Sequence, residues 1–167
     1  MHVREFDELY AAHVGELTIQ LYAYIGDRQD AQDLVQEAFC RALARWREVS
    51  TYDDPVAWVR RVAWNLATSK WRRSRTALAF LRRQRGEVVV VAGPDPDRVD
   101  LVAALATLPD AQRRAMVLHY LADLSVADIA AREGVAEGTV KSWLHRGRAA
   151  LATRLTPIES TLEPNHV

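Results

Sequence analysis

Apolar side chains recur every three or four positions along most of this 167-residue chain, the spacing of helices that bury one face. Phe6, Leu9, Tyr10, His13, Val14 and Leu17, continued by Leu21, Tyr22 and Ile25, outline a first helix, or two in succession, that stops at Gly26. Asp27 and Asp30 suit the start of a second, whose inward stripe is Ala31, Leu34, Val35, Ala38, Phe39, Ala42 and Trp46. Its outward face shows Asp33, Gln36 and Glu37. Residues 47–54 are polar and read as a loop, and Pro55 fits the first turn of a third helix running to about residue 75. Val56, Val59, Ala63, Leu66 and Ala67 make a thin stripe on that helix, so some of Trp58, Trp64 and Trp71 must complete the core.

From about residue 76 to residue 100 the period fades. Residues 88–91 are strand-like, but Gly93, Pro94, Asp95 and Pro96 follow at once and no other stretch offers a strand partner, so a flexible linker is expected. Periodicity returns with Leu101, Val102, Leu105 and Leu108, restarts after Pro109, and resumes with Met116, Val117, Tyr120 and Leu121. Ser125 followed by Asp128 is a capping pattern that satisfies free N–H groups at a helix start. Ile129 and Ala130 turn inward, and Gly134 can take the left-handed conformation that ends a helix, with Val135 anchoring the turn.

A last helix begins near Glu137, with Val140, Leu144 and Leu151 inward. Ser142, His145, Arg146 and Ala149 lie opposite, flanked by Thr139 and Lys141, and Arg148 adds a further cation. No acid follows Glu137 as far as residue 155. Short polar side chains beside longer cations let a backbone approach base edges while lysine and arginine reach phosphates, so this helix-turn-helix is expected to enter a duplex major groove. Trp143, at the margin of the stripe, is expected to pack against a neighbouring helix. The fold expected is all-α: two small helical domains over residues 1–75 and 101–156, a linker over 76–100, and a tail over 157–167 to which no role is assigned.

Zero net charge conceals a polarised chain. Residues 1–40 hold Glu5, Asp7, Glu8, Glu16, Asp27, Asp30, Asp33 and Glu37 against Arg4 and Arg28, whereas residues 55–85 hold Arg60, Arg61, Lys70, Arg72, Arg73, Arg75, Arg82, Arg83 and Arg85 and no acid. Opposite charges in separate segments imply two partners, one of them polyanionic. Interleaved with Trp58, Trp64, Trp71 and Asn65, the basic helix could stack bases while neutralising phosphates. At 49% apolar residues, with no long uncharged apolar run and no basic start ahead of an apolar stretch, the chain is expected in the cytoplasm without membrane insertion. Cys40 is its one cysteine, and the five histidines (His2, His13, His119, His145 and His166) are scattered, so no metal or other cofactor is expected.

Four segments carry a family resemblance: residues 26–46 (GDRQDAQDLVQEAFCRALARW), 58–73 (WVRRVAWNLATSKWRR), 108–114 (LPDAQRR) and 138–148 (GTVKSWLHRGR). In this order the chain resembles the extracytoplasmic-function sigma subunits of bacterial RNA polymerase, most of all the actinobacterial sigma-E-type branch, from Phe6 to Leu155. The resemblance implies a non-enzymatic factor that binds core polymerase, through the beta-prime clamp helices and the beta flap, and promoter DNA, and it leaves room for an anti-sigma factor. It puts Asp33, Gln36 and Glu37 against the clamp. It gives the loop over 47–54 and Trp58, Arg61, Asn65, Arg72 and Arg73 to opening of the minus-10 element and capture of its non-template strand. Thr139, Lys141, Ser142, His145, Arg146 and Arg148 would read the minus-35 element as duplex. Melting costs about 1.4 kcal/mol per stacked step, so unstacked bases need aromatic or pocket contacts.

Three positions depart from the pattern: Ser69 where many members have Asp, Trp143 where many have Arg, and Gly147 where many have Ala. Trp143 forgoes a phosphate contact, and Gly147 costs up to about 1 kcal/mol of helix propensity while permitting a closer helix crossing. Two other classes fit less well. A stand-alone helix-turn-helix regulator would need a ligand pocket or a dimerisation seam, and residues 1–75 show neither. A nuclease would need clustered carboxylates for metal ions, whereas Asp27, Asp30 and Asp33 are explained by capping and the helix dipole.

Overall fold

Gly26 closes the first helix because it alone at that point can hold φ +85° without a side-chain penalty, and its N–H bonds to the Tyr22 carbonyl at 2.8 Å. That helix, α1 (His2–Ile25), is continuous rather than divided in two. Asp27, extended at φ −121° and ψ 120°, then accepts a 2.8 Å bond from the Asp30 N–H and starts α2 (Arg28–Ala44). These features come from a computed structural model, which describes residues 2–82 and 96–155.

Along α2 the expected stripe of Ala31, Val35, Ala38, Phe39 and Ala42 is buried, while Leu34 is only half-buried. Trp46 does not belong to it. The helix ends at Ala44, Arg45 caps it, and Trp46 opens a one-turn helix, α3 (Trp46–Val49), so residues 47–49 of the expected loop are helical. The reason is aromatic packing. Phe6 and Trp46 meet edge to face at 5.3 Å, Tyr10 and Phe39 at 4.9 Å, and burial of Trp46 and Val49 draws the chain back onto α1.

Asp54 accepts from the Ala57 N–H at 3.0 Å and caps α4 (Pro55–Arg82), which runs seven residues past the expected end near residue 75. Val59, Ala63, Trp64 and Ala67 face the core, so Trp64 supplies the bulk that the thin stripe lacked. The strand-like run at 88–91 and the tail lie outside the described residues. After them come α5 (Pro96–Ala106), α6 (Asp110–Tyr120), α7 (Val126–Glu133) and α8 (Glu137–Leu155), and no strand occurs among the described residues. Leu105, Leu108, Met116 and Val117 are buried as expected, whereas Leu101 and Tyr120 are exposed.

The turn between α7 and α8 follows the expected chemistry. Ser125 Oγ accepts from the Asp128 N–H at 3.1 Å, and Gly134 takes φ +67° with its N–H on the Ala130 carbonyl. Val140 and Leu144 pack inward together with Gly147, and Leu151 and Trp143 are half-buried against the same core. The two helical groups do not stand apart: α1 packs on α5 and α6 as well as on α2 and α4, so buried side chains of both halves form one cluster.

Candidate nucleic-acid and protein interfaces

Positions 58, 61, 65, 69 and 72 fall on one face of α4 by helical spacing, over about 21 Å of helix. Arg61, Asn65, Ser69, Arg72 and Arg73 are exposed there and Trp58 is half-buried. Trp64 is on the other side, fully buried, and its indole N–H points to Gln20 Oε1 at 3.4 Å, so it serves packing. The Arg45 guanidinium lies 5.9 Å from the Trp58 ring centroid, and the same side chain holds Glu48. Tyr52 donates to Glu48 Oε1 at 2.6 Å, and the bonds from Tyr52 and Arg45 hold the Glu48 carboxyl below its usual range. The loop beside Trp58 is thus tied to α3.

Near the middle of α4, Asn65, Thr68, Ser69 and Arg72 line one side of a pocket of about 300 Å³ whose other side is Arg114, Arg132 and Glu133. Arg72 and Arg73 also border an open groove with Thr76 and Ala77. One cation of the segment is engaged elsewhere: Lys70 pairs with Asp30 of α2 at 2.6 Å, so the acidic and basic segments touch there.

On α2, Asp33, Gln36 and Glu37 are all exposed on adjoining turns. Each has one polar neighbour: Gln29 donates to Asp33 at 2.9 Å, Gln36 donates to the Tyr10 hydroxyl, and Arg41 pairs with Glu37 at 2.7 Å. Carboxylates held by single surface contacts keep spare acceptor capacity for a cationic partner. On α8, Lys141, His145, Arg146 and Arg148 are exposed, while Thr139 and Ser142 are half-buried at the edge of the same face. Arg148 donates to the Tyr120 hydroxyl at 2.9 Å, which ties one cation of this face to α6.

Reading the sequence gave no role to the residues that join the two helical groups. Gln20, Arg113 and Arg114 are the buried polar and charged side chains among the described residues. Arg113 donates to the Tyr24 carbonyl at 3.1 Å and sits 4.1 Å over the Trp71 ring. Burial pulls the Arg113 guanidinium down from its ordinary value, partly offset by the negative charge of Asp110. For Arg114 burial acts the same way, yet bonds to Glu133 (2.6 Å) and Asp110 (2.7 Å) outweigh it and raise the group. Tyr24 donates to Asp110 at 2.5 Å, and burial, reinforced by that bond, raises its phenol. Two signals were available: Gln20 interrupts the apolar row of Leu17, Leu21 and Tyr24, and the 108–114 motif sets two arginines beside Asp110 without an evident use.

Comparison with known proteins bears on both halves. Residues 9–77 match the family "Sigma-70 region 2" and residues 98–151 match "Sigma-70, region 4". The chain is 32% identical over 163 residues to the RNA polymerase sigma-E factor of Streptomyces antibioticus, covering 92% of this chain and 86% of that protein. It is 33% identical over 156 residues to the extracytoplasmic-function sigma factor SigE of Mycolicibacterium smegmatis, covering 87% of this chain but 60% of that longer protein. Among solved structures, the sigma factor RpoE in complex with the anti-sigma factor NepR from Bartonella quintana superposes with a TM-score of 0.75 at 25% identity, covering 93% of this chain and 99% of that one.

Proposed function

The chain belongs to the sigma-70 family, in its extracytoplasmic-function group, as a factor that binds core RNA polymerase and promoter DNA to direct transcription initiation, and we propose a division of that work among its surfaces. The family is not an enzyme class. In this reading the chain catalyses no bond change of its own and works in the cytoplasm beside the polymerase; no described helix is long and apolar enough to cross a membrane.

Residues 1–75 form the region that docks core polymerase and opens the minus-10 element, residues 76–100 link it to residues 101–156, and these read the minus-35 element. Asp33, Gln36 and Glu37 meet the beta-prime clamp helices, and the second domain meets the beta flap. Trp58, Arg61, Asn65, Arg72 and Arg73 hold the separated strand: the half-buried indole offers a stacking edge, Asn65 a base-edge partner, and the arginines phosphate contacts. Thr139, Lys141, Ser142, His145, Arg146 and Arg148 face the duplex. An anti-sigma factor is a further partner of this chain, by extension from the Bartonella quintana neighbour.

The observation that carries this assignment is the shared exposure of Arg61, Asn65, Arg72 and Arg73 on α4 beside Trp58, with Trp64 withdrawn into the core. The test is to reconstitute holoenzyme with the full chain and core polymerase, map the promoters it selects, and repeat with Trp58→Ala and Arg72→Ala/Arg73→Ala. The expected result is intact holoenzyme that binds promoter duplex but fails to open it. Normal opening by both variants would refute the strand-binding role.

A further inference from the structure

We propose that the pocket bordered by α4, Arg114 of α6 and Arg132 of α7 binds a small phosphorylated ligand, a sugar phosphate in size and chemistry. Two of its residues, Asn65 and Arg72, also belong to the strand-binding face, but the site does not rest on their role there.

Asn65, Thr68, Ser69 and Arg72 share one face of α4 by helical spacing, and Arg114, Arg132 and Glu133 complete the pocket. Three cations therefore meet one carboxylate. That carboxylate is already spent: Glu133 Oε2 accepts from Arg114 Nε at 2.9 Å and from its Nη2 at 2.6 Å, while Asp110 takes Nη1 at 2.7 Å. Neither Arg72 nor Arg132 has an acid within ion-pair distance among the described residues. Burial holds the half-buried Arg132 guanidinium below its ordinary value; Glu133 offsets part of this, and Arg114, Arg61 and Arg60 repel it. A partly enclosed site with unbalanced positive charge favours an anion that brings several oxygen acceptors.

Hydrogen-bonding capacity narrows the kind of anion. Among the described residues the side chains of Asn65, Ser69, Arg72 and Arg132 make no hydrogen bond, so their donors are available. Thr68 has given its proton to the Trp64 carbonyl at 2.8 Å, and Glu133 Oε1 receives none, so both remain acceptors. Four donor groups with two acceptors match a phosphate attached to a hydroxylated body. The phosphate oxygens accept from the arginines, the amide and the serine, and the hydroxyls donate to Thr68 and Glu133. A volume of about 300 Å³ is at the lower end for ligand pockets and suits a sugar phosphate better than a large cofactor.

A DNA backbone suits the same walls less well. Its phosphates bring no hydroxyl for Glu133, and each lies beside further phosphates that the carboxylate repels. Ser69 accounts for the missing negative charge. It stands where many members of the family have Asp, and an acid there would give the pocket a second carboxylate, whereas serine supplies only a hydroxyl.

The test is isothermal titration calorimetry of the full chain with ribose 5-phosphate, inorganic phosphate, sulfate and ribose at constant ionic strength, repeated on Arg132→Gln and Ser69→Asp. Arg132→Gln stays polar and removes one cation; Ser69→Asp, at an exposed position, sets a carboxylate in the place of the anion. The expected result is one ribose 5-phosphate per chain, bound at least about tenfold more tightly than inorganic phosphate, no binding of ribose, and a loss of at least about tenfold in each variant. Ser69→Asp should also raise the melting temperature without ligand, a gain the parent chain shows only when ribose 5-phosphate is added. No saturable binding to the parent chain at millimolar concentration, or undiminished binding by both variants, would overturn the site. Sulfate held as tightly as ribose 5-phosphate would overturn the ligand class. A single-stranded oligodeoxynucleotide that binds with the same dependence on Arg132, while ribose 5-phosphate does not, would give the pocket to DNA instead. None of these measurements uses polymerase, so they judge the site whether or not the promoter assignment holds.

Discussion

Gly147 lies where α8 crosses α6, and a methyl group there would be 2.8 Å from Met116 Cγ and 2.9 Å from Met116 Sδ, with Leu108 Cδ1 at 3.8 Å. Replacing it with alanine sets two effects against each other. Helix propensity favours alanine by about 1 kcal/mol. Overpacking a filled core costs about 1–3 kcal/mol, and the atoms in the way are the middle of a buried side chain rather than its free end. The clash wins. Gly147→Ala should lower stability by about 1 kcal/mol, or about 2–4 °C in the melting temperature for a chain of this size. In a Met116→Ala background the obstacle is gone, and the same substitution should stabilise by about 1 kcal/mol, giving a coupling near 2 kcal/mol in a double-mutant cycle. Urea unfolding of the four proteins followed by circular dichroism measures it. Stabilisation of about 1 kcal/mol in both backgrounds would refute the idea that the close crossing depends on this glycine.

The remaining expectations concern partners and buried charge. Reversing Asp33 and Glu37 to lysine should abolish co-elution with core polymerase while leaving helicity unchanged, because both carboxylates are exposed and make only local contacts. Glu133→Ala should destabilise the second domain by about 3 kcal/mol, since it strands the buried Arg114 guanidinium beside a single remaining carboxylate; a loss below about 1 kcal/mol on thermal unfolding would contradict this. Lys141→Ala should weaken binding to promoter duplex for all sequences alike and reduce the salt slope by about one, as expected for a phosphate contact.

Local chemistry was legible from residue order alone. The stop at Gly26, the cap at Asp27, the cap at Ser125 and the turn at Gly134 each depend on residues a few positions apart, so position in the chain suffices to specify them. The exposed faces of α2, α4 and α8 followed for a similar reason, because helical period alone assigns inside and outside. Trp46 shows where this stops: its spacing extends α2, but packing on Phe6 draws it into a separate turn.

Periodicity determined which residues this chain could present to polymerase and DNA, and charge order determined which of them would attract an anion. Only the tertiary structure decided that Trp64 is fully buried while Trp58 keeps one side exposed, that Lys70 is neutralised by Asp30, and that the halves close on Tyr24, Asp110 and Arg113. Those outcomes join residues separated by as many as 89 positions. Spacing along one helix carries no information about contacts at that range, which depend on how separate helices meet and on whether a buried charge finds its partner there.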